Sequence, residues 1–219
     1  LYVPSSNSGV VSGGITYSIQ DPGWFCMKAE KFCTEVGAIT LPTFRSMQRM
    51  MRPENLSMKE IGNKIWDLRG WNFGVGNKQC GTYRRVIGTR YGEPKGDFER
   101  FCDFAQYVNY ESYKYPFEAW NAKMYDPATG ILLWMSNPTW GTVLWQGYDA
   151  YKAPTGGYWG AKSACEDLHI QLRERGLLIR DCGDFEGIDA GWFRTAVRTA
   201  EENTILLAAI REVHAWQCV

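Results

Sequence analysis

The stretch Trp24-Phe25-Cys26-Met27-Lys28-Ala29-Glu30-Lys31-Phe32-Cys33-Thr34-Glu35-Val36-Gly37 decides how the first half of the chain is read. Phe25, Ala29, Phe32, Cys33 and Val36 recur at helical spacing, and Gly37 supplies a C-terminal stop. The spacing predicts one amphipathic helix over 24–36. Ile39 to Leu41 then reads as a short strand halted by Pro42, and Phe44 to Met51 as a second helix ending before Pro53.

Composition narrows the classes. The 219 residues suffice for one large domain or two small ones. Lysine plus arginine and aspartate plus glutamate both number 24, which removes the electrostatic argument for nucleic acid or an anionic membrane. The longest apolar run, Ile131 to Met135, is strand-sized and far below the ~20 residues of a membrane span. The start lacks an initiator Met and a signal-peptide plan, so localisation is not legible there. Seven cysteines, none in C-x-x-C, and two histidines, His169 and His214, match no zinc pattern, and no metal site is expected. Ten Trp and twelve Tyr, concentrated between Trp66 and Trp159 among Gly and Pro, suit short strands, long loops and a binding surface.

Farther along, Ser57 with Glu60 forms a capping box for a helix over 57–68. The span 70–96 reads as irregular, with one strand at 83–87. Asp97 to Val108 reads as a helix with Phe98, Phe101, Cys102 and Ala105 on one face. Asp126-Pro127-Ala128-Thr129-Gly130 is a turn before a strand at 131–135. Gly156-Gly157 marks a loop before a helix over 163–175. A strand at 177–179, a polar loop and a strand at 192–198 follow. Thr199 with Glu202 caps a last helix facing inward through Ile205, Leu206, Ala209, Ile210 and Val213. The expectation is an α+β fold, a small mixed sheet with packed helices and a Trp/Tyr-rich, loop-rich middle. It divides into an aromatic-rich region at 1–160 and an α/β layer at 161–219.

Leu172-Arg-Glu-Arg-Gly-Leu-Leu-Ile-Arg-Asp-Cys182, Phe185-Glu-Gly187, Gly191-Trp-Phe-Arg194 and Thr199 to Val213 resemble the C-terminal end of histidinol-phosphate aminotransferases and threonine-phosphate decarboxylases. That resemblance implies pyridoxal phosphate as cofactor. It also implies that Arg194 grips a substrate carboxylate as a bidentate fork. Ser136-Asn137-Pro138-Thr139 and Asp149-Ala150-Tyr151 are similar to further family segments, which gives Asn137, Asp149 and Tyr151 to the cofactor, Asp149 at its pyridine nitrogen. The family's Ser-x-Ser-Lys segment is not recognisable. Of the lysines after Asp149, Lys162 is left as the candidate for the Schiff base.

Residues 24–44 carry a second resemblance. The A-x-x-x-C run Ala29 to Cys33, then Gly37 and Leu41-Pro42, is similar to the first helix of C-type-lectin-like domains, which implies a bridge from Cys33 to Cys218. Glu99, Asp103, Glu111 and Glu118 show no spacing that compels paired-carboxylate chemistry.

The sequence thus points to a relative of pyridoxal-phosphate aminotransferases or decarboxylases, incomplete or inactive alone, taking a small amino acid. The alternative is a non-catalytic, lectin-like binding module with a protein partner, in an oligomer or larger assembly.

Overall fold

Lys31 carries a φ of 52°, a left-handed backbone that no helix continues through, and it cuts the opening stretch in two. Before it lies α1 (Pro22–Lys28), started by Pro22 at its first position. After it lies β1 (Lys31–Val36). The expected single helix is therefore corrected to a helix and a strand. Of the five residues expected inside, Phe25, Ala29, Cys33 and Val36 are buried, in one cluster with Tyr115, Ala119, Trp120 and Ala128, whereas Phe32 is only half-buried. The Lys31 backbone is held on both sides, its N–H donating to Pro127 O at 2.7 Å and its carbonyl accepting from Trp120 Nε1 at 3.3 Å.

The computed structural model describes residues 17–71, 78–165, 179–181 and 193–195, with Glu201, Thr204, Leu207 and Ala208. The chain forms two units, Leu1–Cys165 and Glu166–Val219. In the first unit α2 (Phe44–Met50), α3 (Lys64–Leu68), α4 (Lys78–Tyr91), α5 (Phe98–Asn121), β2 (Ala128–Leu133) and α6 (Gly156–Ala164) follow β1. β1 and β2 pair in parallel, Phe32 opposite Gly130 and Val36 opposite Leu133. The helical crossover between them is what a parallel pair requires. In the second unit β3 (Ile179–Asp181) and β4 (Phe193–Thr195) pair antiparallel, with Arg180 opposite Arg194. The fold is α+β, as the sequence indicates: small sheets, packed helices and aromatic clusters.

Several boundaries move. Residues 57–62 are turns, and α3 is capped by Asn63, whose Oδ1 accepts from Ile65 N at 2.9 Å and Trp66 N at 3.2 Å. Glu60 accepts from Asn63 Nδ2 at 2.8 Å instead of closing a box on Ser57. The strand expected at 83–87 is part of α4, where Tyr83 and Ile87, four apart, bury one helical face. Asp97 caps α5, accepting from Arg100 N at 3.0 Å, but the helix runs on to Asn121 through Pro116. β2 begins three residues earlier than expected and ends at Leu133.

Gly156 and Gly157 open α6 rather than a loop. A Cβ on Gly156 would stand 1.9 Å from Gln106 O and one on Gly160 2.1 Å from Tyr110 O, so α6 touches the α5 backbone only because both are glycine. α6 ends at Ala164, and the rest of the helix expected over 163–175 lies outside the described residues. Glu201, Thr204, Leu207 and Ala208 are helical and exposed, while Ile205, Leu206, Ala209, Ile210 and Val213 lie outside the described residues.

Candidate functional site

Tyr17, Glu35 and Trp145 are linked near the carboxyl end of β1. Glu35, half-buried, is the penultimate residue of β1. The Tyr17 hydroxyl donates to its Oε2 at 2.5 Å, and the Tyr17 ring lies 4.7 Å from that of Trp145. Burial, then the Glu35 hydrogen bond and charge, pushes the Tyr17 phenol well above its ordinary range, so it stays a donor throughout neutral pH. Next to Glu35 the strands close tightly: Trp134 N donates to Val36 O at 2.9 Å, and a Cβ on Gly37 would stand 2.2 Å from Trp134 O. The Trp134 side chain, one residue beyond β2, is 47% exposed.

Polar side chains on α5 fix the segments leaving both strands. The buried Tyr113 hydroxyl donates to Ala38 O at 3.1 Å and accepts from Gln146 N at 3.1 Å, joining the exit of β1 to the loop after β2. Asn109 Nδ2 donates to Leu41 O at 2.8 Å and Gln106 Nε2 to the same carbonyl at 3.0 Å. Gln106 Oε1 accepts from Gly156 N at 3.0 Å. Gln146 Nε2 returns to Thr40 O at 2.9 Å. Glu35, Trp134 and Trp145 thus stand on a braced floor, a form of preorganisation.

The residues singled out from sequence serve other ends. Asp149 is buried, but its Oδ1 accepts from Tyr151 N at 2.8 Å and Ala153 N at 2.9 Å, folding its own loop. Tyr151 lies under the Arg49 guanidinium, 4.0 Å away. Asn137 is exposed and accepts from its neighbour Ser136 Oγ at 3.0 Å. Lys162 is exposed on α6 with its Nζ 5.5 Å over the Trp159 ring. Arg194 lies on β4 in the second unit. Among the described residues no group of three His, Cys, Asp or Glu side chains could hold a metal, and no helix is long and apolar enough to cross a membrane.

No protein-family model matches the chain. An exo-beta-D-glucosaminidase of Streptomyces avermitilis is 34% identical over 180 residues, 76% of this chain and 19% of that protein. A mannosylglycoprotein endo-beta-mannosidase of Lilium longiflorum is 29% identical over 170 residues, 71% of this chain and 17% of its own length. Among solved structures, the Amycolatopsis orientalis exo-chitosanase in complex with PNP-beta-D-glucosamine matches with a TM-score of 0.60 and 27% identity, over 73% of this chain and 20% of that one. The chain spans about a fifth of the length of these curated relatives.

Those likenesses correct the sequence reading. A 47-residue stretch is 43% identical to the threonine-phosphate decarboxylase of Salmonella typhimurium, but it covers 22% of this chain and 13% of that enzyme. The glycosidase likenesses cover about three times as much of the chain and overturn the assignment to pyridoxal-phosphate enzymes, with its cofactor and amino-acid substrate. The lectin-like reading falls with them. Its supposed helix is the strand bearing Cys33, and Cys218 lies outside the described residues.

Sequence reasoning missed Glu35. Read as a helix, residues 24–36 leave Glu35 an ordinary charge. Read as a strand, they put a carboxylate at a parallel strand's carboxyl end just before a glycine, where α/β enzymes place catalytic groups.

Proposed function

We propose that this chain contributes part of the active site of a glycoside hydrolase acting on β-linked glucosamine- or mannose-containing saccharides, with Glu35 as one of its two carboxylates. The observation that carries the reading is Glu35 at the carboxyl end of β1, hydrogen-bonded by Tyr17. The names of the similar proteins support the substrate class.

Glycosidases divide the labour between a carboxylic acid that protonates the leaving oxygen and a carboxylate that attacks the anomeric carbon or activates water. A phenol donating to Glu35 Oε2 fixes that oxygen and aims the other, an arrangement that suits the second role. Glu35 is therefore the nucleophile or base. Trp134, whose backbone N–H is bonded to Val36 O next to Glu35 in sequence, exposes an indole that can offer an apolar face to a sugar ring. β2, the other parallel strand, ends at Leu133 and supplies no second carboxylate there.

Binding tests the reading on the chain itself. Calorimetry with PNP-beta-D-glucosamine and with a β-linked mannobiose gives saturable binding of at least one, and Trp134→Ala weakens it about tenfold. Binding of neither, with the chain folded, overturns the proposal.

A further inference from the structure

Asp21 departs from the usual behaviour of its position. It is the N-cap of α1, where an aspartate ordinarily accepts from the second or third helical N–H, but its side chain makes no capping bond. Its Oδ1 accepts instead from Arg90 Nη2 of α4 at 2.8 Å. Arg90 is held from behind, its Nη1 donating to Glu111 Oε2 of α5 at 2.5 Å. The Arg90 side chain is 23% exposed and that of Asp21 85%, so a cation seated on α5 reaches out to a surface carboxylate four residues from Tyr17. Residues 17–21 belong to no helix or strand, and no backbone ladder sets their position. Ile19 packs against the core, a non-directional contact along which the chain can slide. The Tyr17 bond to Glu35 is directional and fails with a displacement of about 1 Å. Four residues span at most about 14 Å, so the ion pair restrains the stretch that carries the phenol.

We infer that Arg90 is a positioning residue: through Asp21 it fixes the segment that presents the Tyr17 hydroxyl to Glu35. Its bearing on catalysis rests on the glycosidase reading of Glu35, whereas the tether is a property of the chain itself. Arg90 acts through Tyr17 and not on the saccharide. Because Asp21 is exposed, the pair shifts the seating of the segment by at most about fivefold, and salt screens it.

The test is NMR of the whole chain with labelled tyrosine, the Tyr17 signals being assigned by Tyr17→Phe. The Trp145 ring, 4.7 Å from that of Tyr17, displaces those signals by its ring current when the segment is seated. Asp21→Ala moves them toward their random-coil positions, and about 1 M sodium chloride moves the wild type the same way. Asp21→Glu, which keeps the charge, stays near the wild type. Arg90→Gln acts as Asp21→Ala does, and the two together move the signals no further than either alone. Tyr17 signals unmoved in Asp21→Ala, or additive effects of the two changes, overturn the inference. The readout needs no substrate, so failure of the chain to bind a saccharide overturns the glycosidase reading and leaves the tether standing. Unchanged thermal midpoints of the Asp21 variants establish that they fold.

Discussion

Tyr17 and Glu35 are joined by a hydrogen bond of 2.5 Å between the phenol and Oε2, and Tyr17 is itself packed against Trp145 from the loop after β2. The bond keeps one lone pair of the carboxylate occupied and aims the other oxygen. Hydrogen bonds to charged groups contribute about 1.5–3 kcal/mol, roughly 10- to 100-fold in rate if the charge is needed. With this chain joined to the remainder of a similar glucosaminidase, Tyr17→Phe is expected to lower turnover of an aryl β-glucosaminide by that factor with little change in KM. Unaltered kcat would mean that Tyr17 only packs.

Gly160→Ala tests the α5–α6 contact. The added methyl meets Tyr110 O at 2.1 Å, and helix backbone cannot yield as a side-chain end can. Overpacking of this kind costs about 1–3 kcal/mol, read as a lower urea midpoint. Lys162→Ala, two residues on but exposed, shifts the midpoint by less than about 0.5 kcal/mol and leaves saccharide binding unchanged.

Asn109→Ala removes the donor to Leu41 O and the acceptor of the Tyr83 hydroxyl, which lies 2.6 Å from Asn109 Oδ1. Leu41 O keeps Gln106 Nε2 and the Tyr83 hydroxyl keeps Ala105 O, so the cost is that of two hydrogen bonds without a stranded group, about 1–2 kcal/mol by denaturant unfolding. Asn109→Asp keeps the acceptor but loses the donor, and falls short of the wild type.

Burial pushes both the Tyr113 phenol and the Cys102 thiol up, so the folded protein keeps protons that the unfolded chain loses near pH 10 and roughly pH 8.5. Above those values the unfolded state binds fewer protons, and stability falls as pH rises. The urea midpoint should be level between about pH 7 and 8 and decline from pH 8.5 to 10.5, less steeply in Cys102→Ala. A midpoint that climbs with pH would contradict this.

How much the sequence revealed differs by residue. Phe25, Ala29, Cys33 and Val36 were legible as core, because burial leaves its mark on composition whichever element carries it. The break at Lys31 was not, since its backbone is fixed by Pro127 and Trp120, about ninety residues away in sequence. The helix start at Asp97 was legible because the capping bond that sets it is local, whereas the α5 extension past Val108 depends on packing against α6 and β1. Asp149 drew notice as a cofactor ligand, but loop-folding aspartates and functional ones look alike in one sequence. Glu35 was hidden by the mistaken period, and with it the carboxyl-end rule that would have marked it.

The most direct measurement joins this chain's residues 1–165 to the remainder of the Streptomyces avermitilis exo-beta-D-glucosaminidase, in place of the matching segment, and assays PNP-beta-D-glucosamine with Glu35 intact and as Glu35→Gln. Turnover is expected in the first and a loss of at least about a thousandfold in the second, with substrate still bound. Equal turnover in the two would contradict a catalytic role for Glu35.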